Sequence, residues 1–137
     1  MSAQETREDL SIPENRVSKV IVDAAVGVHT ALGGPGLLEG VYEEALAFEL
    51  GSRGIGVNRQ FAVPIIYKGR RLGSDLRVDL LVNEQVVVEC KAVSVYNPVF
   101  DAQVLTYLRL QNLRLGLVIN FGARRIVDGL HRVVIRL

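Results

Sequence analysis

The chain is short of several things, and each shortage excludes a class of protein. It has a single cysteine in 137 residues, so no disulfide can form within it, and the thiol fits a reducing cytoplasm. No apolar run approaches the roughly 20 residues that cross a bilayer. The stretch at 20–28 is broken by Asp23, and the one at 115–121 is too short. The first twelve residues are polar and acidic, unlike a signal or transit peptide, and read as a flexible lead-in. Charge of one sign is lacking too. Sixteen Lys and Arg against fifteen Asp and Glu leave a net +1, so any grip on nucleic acid must come from local placement of cations. There is no internal repeat, low-complexity tract or linker, which makes 13–137 one expected domain. What the chain does have is a 49% hydrophobic fraction and a mean hydropathy of +0.25, enough for a compact core.

Pro13 can open a helix that runs to about residue 32. Val17, Val20, Ile21, Ala24, Val28 and Ala31 recur at three-to-four spacing and give it one apolar face. His29, near its end, is expected to be a partly exposed polar residue rather than a metal ligand. Gly33, Gly34, Pro35 and Gly36 break the helix. No Lys-Ser/Thr follows and no strand precedes them, so they reverse the chain rather than cradle phosphate. A second helix is expected over 37–53, with Leu38, Val41, Ala45, Leu46 and Leu50 inward. Glu39 and Glu43 lie one turn apart on it. Taken alone, Glu39 reads as a charge favoured by the positive end of the helix dipole.

Strands are expected over 57–67 and 72–82, joined by a basic turn at Lys68, Arg70 and Arg71. Pro64 puts the first of them at a sheet edge or in a bulge. A tight turn leads to a strand over 86–92. Asn97 and Pro98 then start a helix to about residue 112, with Val104, Leu105 and Leu108 inward. Gln103 and Tyr107 project together, four residues apart. An apolar strand at 115–121 suits a buried central position, and 126–137 forms a last strand or pair of strands. The order α-α-β-β-β-α-β-β implies an α/β or α+β fold with a mixed central sheet.

The centre of this plan is the segment from Asp79 to Lys91. Side chains alternate along a strand, so Val87, Glu89 and Lys91 share one face of an otherwise apolar run. Buried charges are costly unless paired or bound to a metal. If the turn has three residues, Asn83, Glu84 and Gln85, then Glu89 lies opposite Asp79. Such residues have Cβ atoms about 4.5–5.5 Å apart, near enough to share a divalent ion. Cys90 faces the other way and is expected to be a packed core residue rather than a nucleophile.

Gly36-x-x-Glu39-x-x-Tyr42 resembles the signature of the GxxExxY proteins, a group similar to the PD-(D/E)xK nuclease superfamily. The resemblance runs from about Val17 to Val134. It implies a restriction-endonuclease-like α-β-β-β-α-β core, with an extra N-terminal helix and a C-terminal strand. The superfamily's first acidic position falls on Glu39, its central Asp on Asp79, and its (D/E)xK element on Glu89, Cys90 and Lys91. Gln103 to Tyr107 is similar to the QxxxY element of RecB-like members. The family pattern often has a His two or three positions before that Gln; here Phe100 and Asp101 stand there.

The resemblance implies metal-dependent hydrolysis of phosphodiesters in nucleic acid, DNA foremost. Asp79, Glu89 and the Cys90 backbone carbonyl would hold Mg²⁺ or Mn²⁺, with Glu39 binding from the helix. Lys91 would orient the attacking water and stabilise developing charge. Tyr42, Gln103 and Tyr107 would support the site. Arg59, Lys68, Arg70, Arg71, Arg109, Arg114, Arg124 and Arg125 are candidate contacts to the nucleic-acid backbone. A homodimer would help so small and nearly neutral a protein grip a duplex. The alternative is a non-catalytic nucleic-acid-binding or assembly module that retains the nuclease fold. No separate sequence-reading domain is present, which argues against an autonomous site-specific restriction enzyme.

Overall fold

Two helices, a three-stranded meander, a crossover helix and two further strands follow one another in the computed structural model, which describes residues 8–137. Residues 1–7, the greater part of the expected lead-in, lie outside the described residues. The elements are α1 (Pro13–Ala31), α2 (Glu39–Ser52), β1 (Val57–Tyr67), β2 (Arg70–Val82), β3 (Val86–Lys91), α3 (Val99–Gln111), β4 (Leu115–Asn120), α4 (Ile126–Gly129) and β5 (Leu130–Val134). The strands form one sheet in the order β1-β2-β3-β4-β5. Only the β3–β4 pair is parallel, as a crossover through α3 requires; the others are antiparallel. The α-β-β-β-α-β core is therefore present as α2-β1-β2-β3-α3-β4, with α1 and β5 added at its ends.

Two apolar layers sandwich the sheet. On one face α1 and α2 bury Ile21, Ala24, Tyr42, Leu46 and Leu50 against Leu80, Val88, Cys90, Leu117 and Ile119. On the other, α3 buries Val104 and Leu108 against Leu81, Val87 and Val118. Strands β3 and β4 are covered on both faces, which is why they read as continuous apolar runs. Burying a residue such as Leu46 or Ile119 removes most of its side chain from water, worth about 1.5–3 kcal/mol each. Pro64 lies on the edge strand at a register shift between Pro64 and Ile66, so both of its expected roles hold.

Several local expectations need correction. His29 is buried, not partly exposed, because its Nε2 reaches the carbonyls of Phe121 (3.2 Å) and Ala123 (3.1 Å) across the core. Leu38, Val41 and Ala31 face outward, since α2 begins at Glu39, one place after Leu38, and α1 turns its last residue away from the sheet. Helix α3 begins at Val99, whose N–H donates to Asn97 Oδ1 at 2.9 Å, so Pro98 sits one place before the first helical residue. The last segment opens with the single turn α4 before its strand.

One irregularity decides where the site lies. Val78 and Leu80 are two residues apart and in a regular strand would share a face. Instead Val78 packs on the α3 side and Leu80 on the α1–α2 side. Opposite this point Gln60 has φ +51°, a left-handed conformation costly for a residue with a Cβ. The β1–β2 ribbon thus rolls over at Gln60 and Asp79.

Candidate active site

Three residues link Val82 to Val86, so the ladder Leu80↔Val88, Leu81↔Val87, Val82↔Val86 brings Asp79 and Glu89 next in line. The roll-over parts the backbones there, and the two side chains fill the gap. The Asp79 N–H donates to Glu89 Oε2 at 2.7 Å, and the Cys90 N–H donates to Asp79 Oδ2 at 2.9 Å. Each carboxylate is thereby oriented through one oxygen by a backbone donor of the opposite strand. Glu89 is almost wholly buried and Asp79 is half-buried.

Burial disfavours the charged forms. Burial first, and then the neighbouring Asp79 charge, push Glu89 up to about 8. Burial pushes Asp79 up to about 6, aided by Glu43 and Glu39 and opposed by the Cys90 N–H and Lys91. Two acids held side by side with raised proton affinity form a site that demands a positive charge. Lys91 supplies part of it, acting favourably on both. Its ammonium lies 4.5 Å from the centre of the Phe100 ring, within cation–π range. Phe100 meets Tyr96 edge-on at 5.3 Å, Tyr96 donates its hydroxyl proton to Asp101, and Tyr96 stacks on His131 at 3.6 Å. Phe100 and Asp101, the departures from the family pattern, thus belong to an aromatic wall beside Lys91.

The helix carboxylates divide differently from expectation. Glu39 is exposed at the start of α2, whereas Glu43, one turn on, is buried. Glu43 accepts from Gln60 Nε2 at 2.9 Å and from Arg59 at 3.1 Å, and Gln60 reaches Asp79 at 3.4 Å. Both helix acids raise the Asp79 proton affinity, Glu43 the more strongly. Sequence reasoning missed Glu43 and Gln60 as site neighbours. The four-residue spacing of Glu39 and Glu43 was the available signal for the first; nothing in the sequence marks Gln60.

On α3, Tyr107 is buried, and its hydroxyl pKa is raised by burial and then by the Glu89 and Asp79 charges, which puts it beside the acids. Gln103 is exposed one turn earlier. Tyr42 is not brought to this cluster. Its ring stacks on Phe121 at 4.7 Å, and its hydroxyl donates to the Gly34 carbonyl at 2.7 Å while accepting the Leu37 N–H at 3.1 Å. Tyr42 therefore ties down the glycine loop ahead of α2. Asn120 is another residue that sequence reasoning missed. Its amide exchanges hydrogen bonds with both backbone groups of Val93, each at 3.0 Å, and the Phe121 N–H donates to the Lys91 carbonyl at 2.7 Å. These bonds brace the end of β3 that carries Lys91. The Cys90 thiol is fully buried and its pKa raised well above the ordinary value by burial, so it is an inert core group.

The candidate backbone contacts are also unequal. Arg59 pairs with Glu43, Arg114 with Glu14 at 2.9 Å, Arg125 with Asp128 at 3.2 Å and Arg71 with Asp75 at 3.5 Å. Among the described residues Lys68, Arg70, Arg109 and Arg124 are exposed and have no carboxylate partner.

No group of three His, Cys, Asp or Glu side chains converges on one point among the described residues. Asp79 and Glu89 nevertheless fit a hard divalent cation. Each keeps a second oxygen outside the backbone bonds, and Mg²⁺ is commonly held by one or two carboxylates with water completing its shell. Glu43, committed to Arg59 and Gln60, and Glu39, exposed, do not complete the three-carboxylate set a second ion would draw on.

Comparison with curated proteins and with solved structures gives no match. A family described as the PD-(D/E)XK nuclease superfamily matches residues 15–133, nearly the whole described chain and all of the elements that assemble the two acids and Lys91. The chain belongs to the PD-(D/E)XK nuclease superfamily.

Proposed function

We propose that the protein is a nuclease of the GxxExxY kind that hydrolyses phosphodiester bonds in DNA with Mg²⁺ or Mn²⁺. The observation that carries this reading is the pair Asp79 and Glu89, cross-bonded to each other's strand and held beside Lys91 with raised proton affinity. A bound divalent ion supplies Lewis-acid neutralisation and a water of lowered pKa. Asp79, Glu89 and the Cys90 carbonyl are the proposed oxygen donors. Lys91, steadied on Phe100, orients the attacking water and stabilises negative charge that builds on the phosphate. Tyr107 and Gln103 line the approach from α3, and Glu39 reaches the site from solvent through water. Glu43 acts indirectly, holding Gln60 against Asp79. The proposed compartment is the cytoplasm, in keeping with one free, buried thiol.

The two-carboxylate donor set is also the observation that favours the alternative, a binding module on a nuclease fold. Cleavage decides between them. Labelled single-stranded, duplex and branched DNA are incubated with the protein in Mg²⁺ or Mn²⁺, beside Glu89→Ala and Lys91→Ala. Metal-dependent cutting lost in both variants is expected. No cutting of any substrate, with all three proteins binding DNA equally, would establish the binding module instead.

A further inference from the structure

We infer that the outer half of the β1–β2 ribbon is an arm that lies along the groove of B-form DNA, making duplex DNA the substrate of the proposed nuclease. This rests on that reading of the site. Strand β3 pairs with β2 only at Leu80, Leu81 and Val82, whereas β1 and β2 stay paired as far as Tyr67↔Arg70. Beyond the roll-over at Gln60 and Asp79 the ribbon is therefore two strands with no third. Its root is anchored, since Val63 and Val78 are buried with α3 residues and Phe61 and Leu76 pack beside them. Its tip is bare. Ile66 and Tyr67 are more than half exposed, and residues 70–75 are all exposed.

Charge separates this arm from the rest of the protein. Residues 61–78 hold Lys68, Arg70, Arg71 and Arg77 against the single acid Asp75, a net +3 in a chain of net +1. The remainder is therefore net −2. Arg71 has a carboxylate neighbour; Lys68, Arg70 and Arg77 have none among the described residues. A polyanion is attracted to the arm and repelled by the rest, which orients it with its backbone on the ribbon.

Shape selects among polyanions. The major groove of B-DNA, about 12 Å wide, admits a two-stranded ribbon, and its thymine methyls suit apolar neighbours such as Ile66, Tyr67 and Leu72. The deep, narrow major groove of A-form RNA does not admit one. Reach follows from strand geometry. The ladder shifts register between Pro64 and Ile66, so length is counted along β1: six residues separate Ile66, opposite Arg71, from Gln60, opposite Asp79, roughly 20 Å at about 3.3 Å each, or about six base pairs at 3.4 Å. The arm's cations thus meet phosphates about six base pairs from the bond beside Asp79.

The test is binding in chelator, where no cleavage occurs. Fluorescence anisotropy compares the protein with Lys68→Ala/Arg70→Ala on DNA duplexes of 8 to 20 base pairs, single strands and an RNA duplex, across a salt series. Both substituted residues are exposed, so an unchanged melting curve accompanies the variant, and Lys68→Glu/Arg70→Glu provides a stronger perturbation of the same charges. The expected result is preference for the 20-base-pair DNA, growing with length. The Ala variant should bind it about tenfold more weakly at 0.1 M salt, with a log–log salt slope shallower by about 2. Unchanged affinity and slope in both variants would overturn the arm, as would equal affinity of the protein for single strands or the RNA duplex. Arm-dependent binding without cleavage in Mg²⁺ or Mn²⁺ would refute only the nuclease reading. Cleavage without arm dependence would refute only the arm.

Discussion

Glu89→Gln should stabilise the metal-free protein at high pH, while removing its response to metal. Glu89 is 5% exposed, its carboxyl accepts the Asp79 N–H, and its pKa is raised from 4.5 to about 8 by burial and the adjacent Asp79 charge. A carboxyl whose folded pKa lies above its unfolded one holds a proton in the native state that the unfolded chain has released. Its contribution to stability is fully present below 4.5 and is lost as pH rises through 8. Each pH unit between those values is worth about 1.4 kcal/mol, so ionising Glu89 within the fold forfeits on the order of 5 kcal/mol by pH 9. Glutamine keeps the shape and an oxygen for the Asp79 N–H, but takes no charge. At about 2.1 cal/mol/K per residue, unfolding this chain has an entropy near 0.3 kcal/mol/K, so 5 kcal/mol corresponds to roughly 17 °C in Tm. Scanning calorimetry in chelator should show the wild-type Tm falling between pH 5 and 9 and that of Glu89→Gln falling much less, with the variant roughly 17 °C higher at pH 9. Adding Mg²⁺ at pH 9 should raise the wild-type Tm and leave the variant unmoved. Parallel pH profiles, or a variant less stable than wild type at pH 9, would refute the reasoning.

Phe100→Leu removes the ring under the Lys91 ammonium, and cutting should slow about tenfold with little change in DNA affinity, whereas Phe100→Trp should retain most of the rate because indole is the stronger cation–π partner. Single-turnover kinetics with a binding control separates the two effects. Tyr42→Phe leaves the Gly34 carbonyl and the Leu37 N–H without their partner, so urea unfolding should report a loss of about 1–3 kcal/mol, with Mn²⁺ affinity unchanged because Tyr42 lies away from the acids. Gly122→Ala would drive a Cβ into the Val93 backbone, forcing the segment that Asn120 braces to move; a loss of roughly 1–3 kcal/mol in the same assay is expected, with slower cutting as Lys91 loosens.

The fold was legible because its signals were redundant. Apolar spacing, the glycine break after Ala31, Pro64 at an edge and the Asn97–Pro98 start each pointed to an element that is present. The Asp79–Glu89 adjacency was legible for a simpler reason, the parity of a three-residue turn. What could not be read arises from departures from regularity. The roll-over at Gln60 takes Val78 and Leu80 to opposite faces, and no period-two pattern announces it. That twist brings Gln60 to Glu43 and so gives the inner place on α2 to Glu43 rather than Glu39. His29 was misjudged because its partners, the carbonyls of Phe121 and Ala123, lie more than 90 residues away. Tyr42 looked like a site residue from its motif, yet its hydroxyl serves the glycine loop that the same motif begins.

The most direct measurement is Mn²⁺ binding followed by electron paramagnetic resonance at pH 8, where the signal of free ion falls as it is captured. One tight site is expected in the wild type, lost in Asp79→Ala and in Glu89→Ala and kept in Glu39→Ala and Lys91→Ala. Binding that survives the loss of both Asp79 and Glu89, or no binding by the wild type, would contradict the assignment of these two carboxylates as the metal-holding pair.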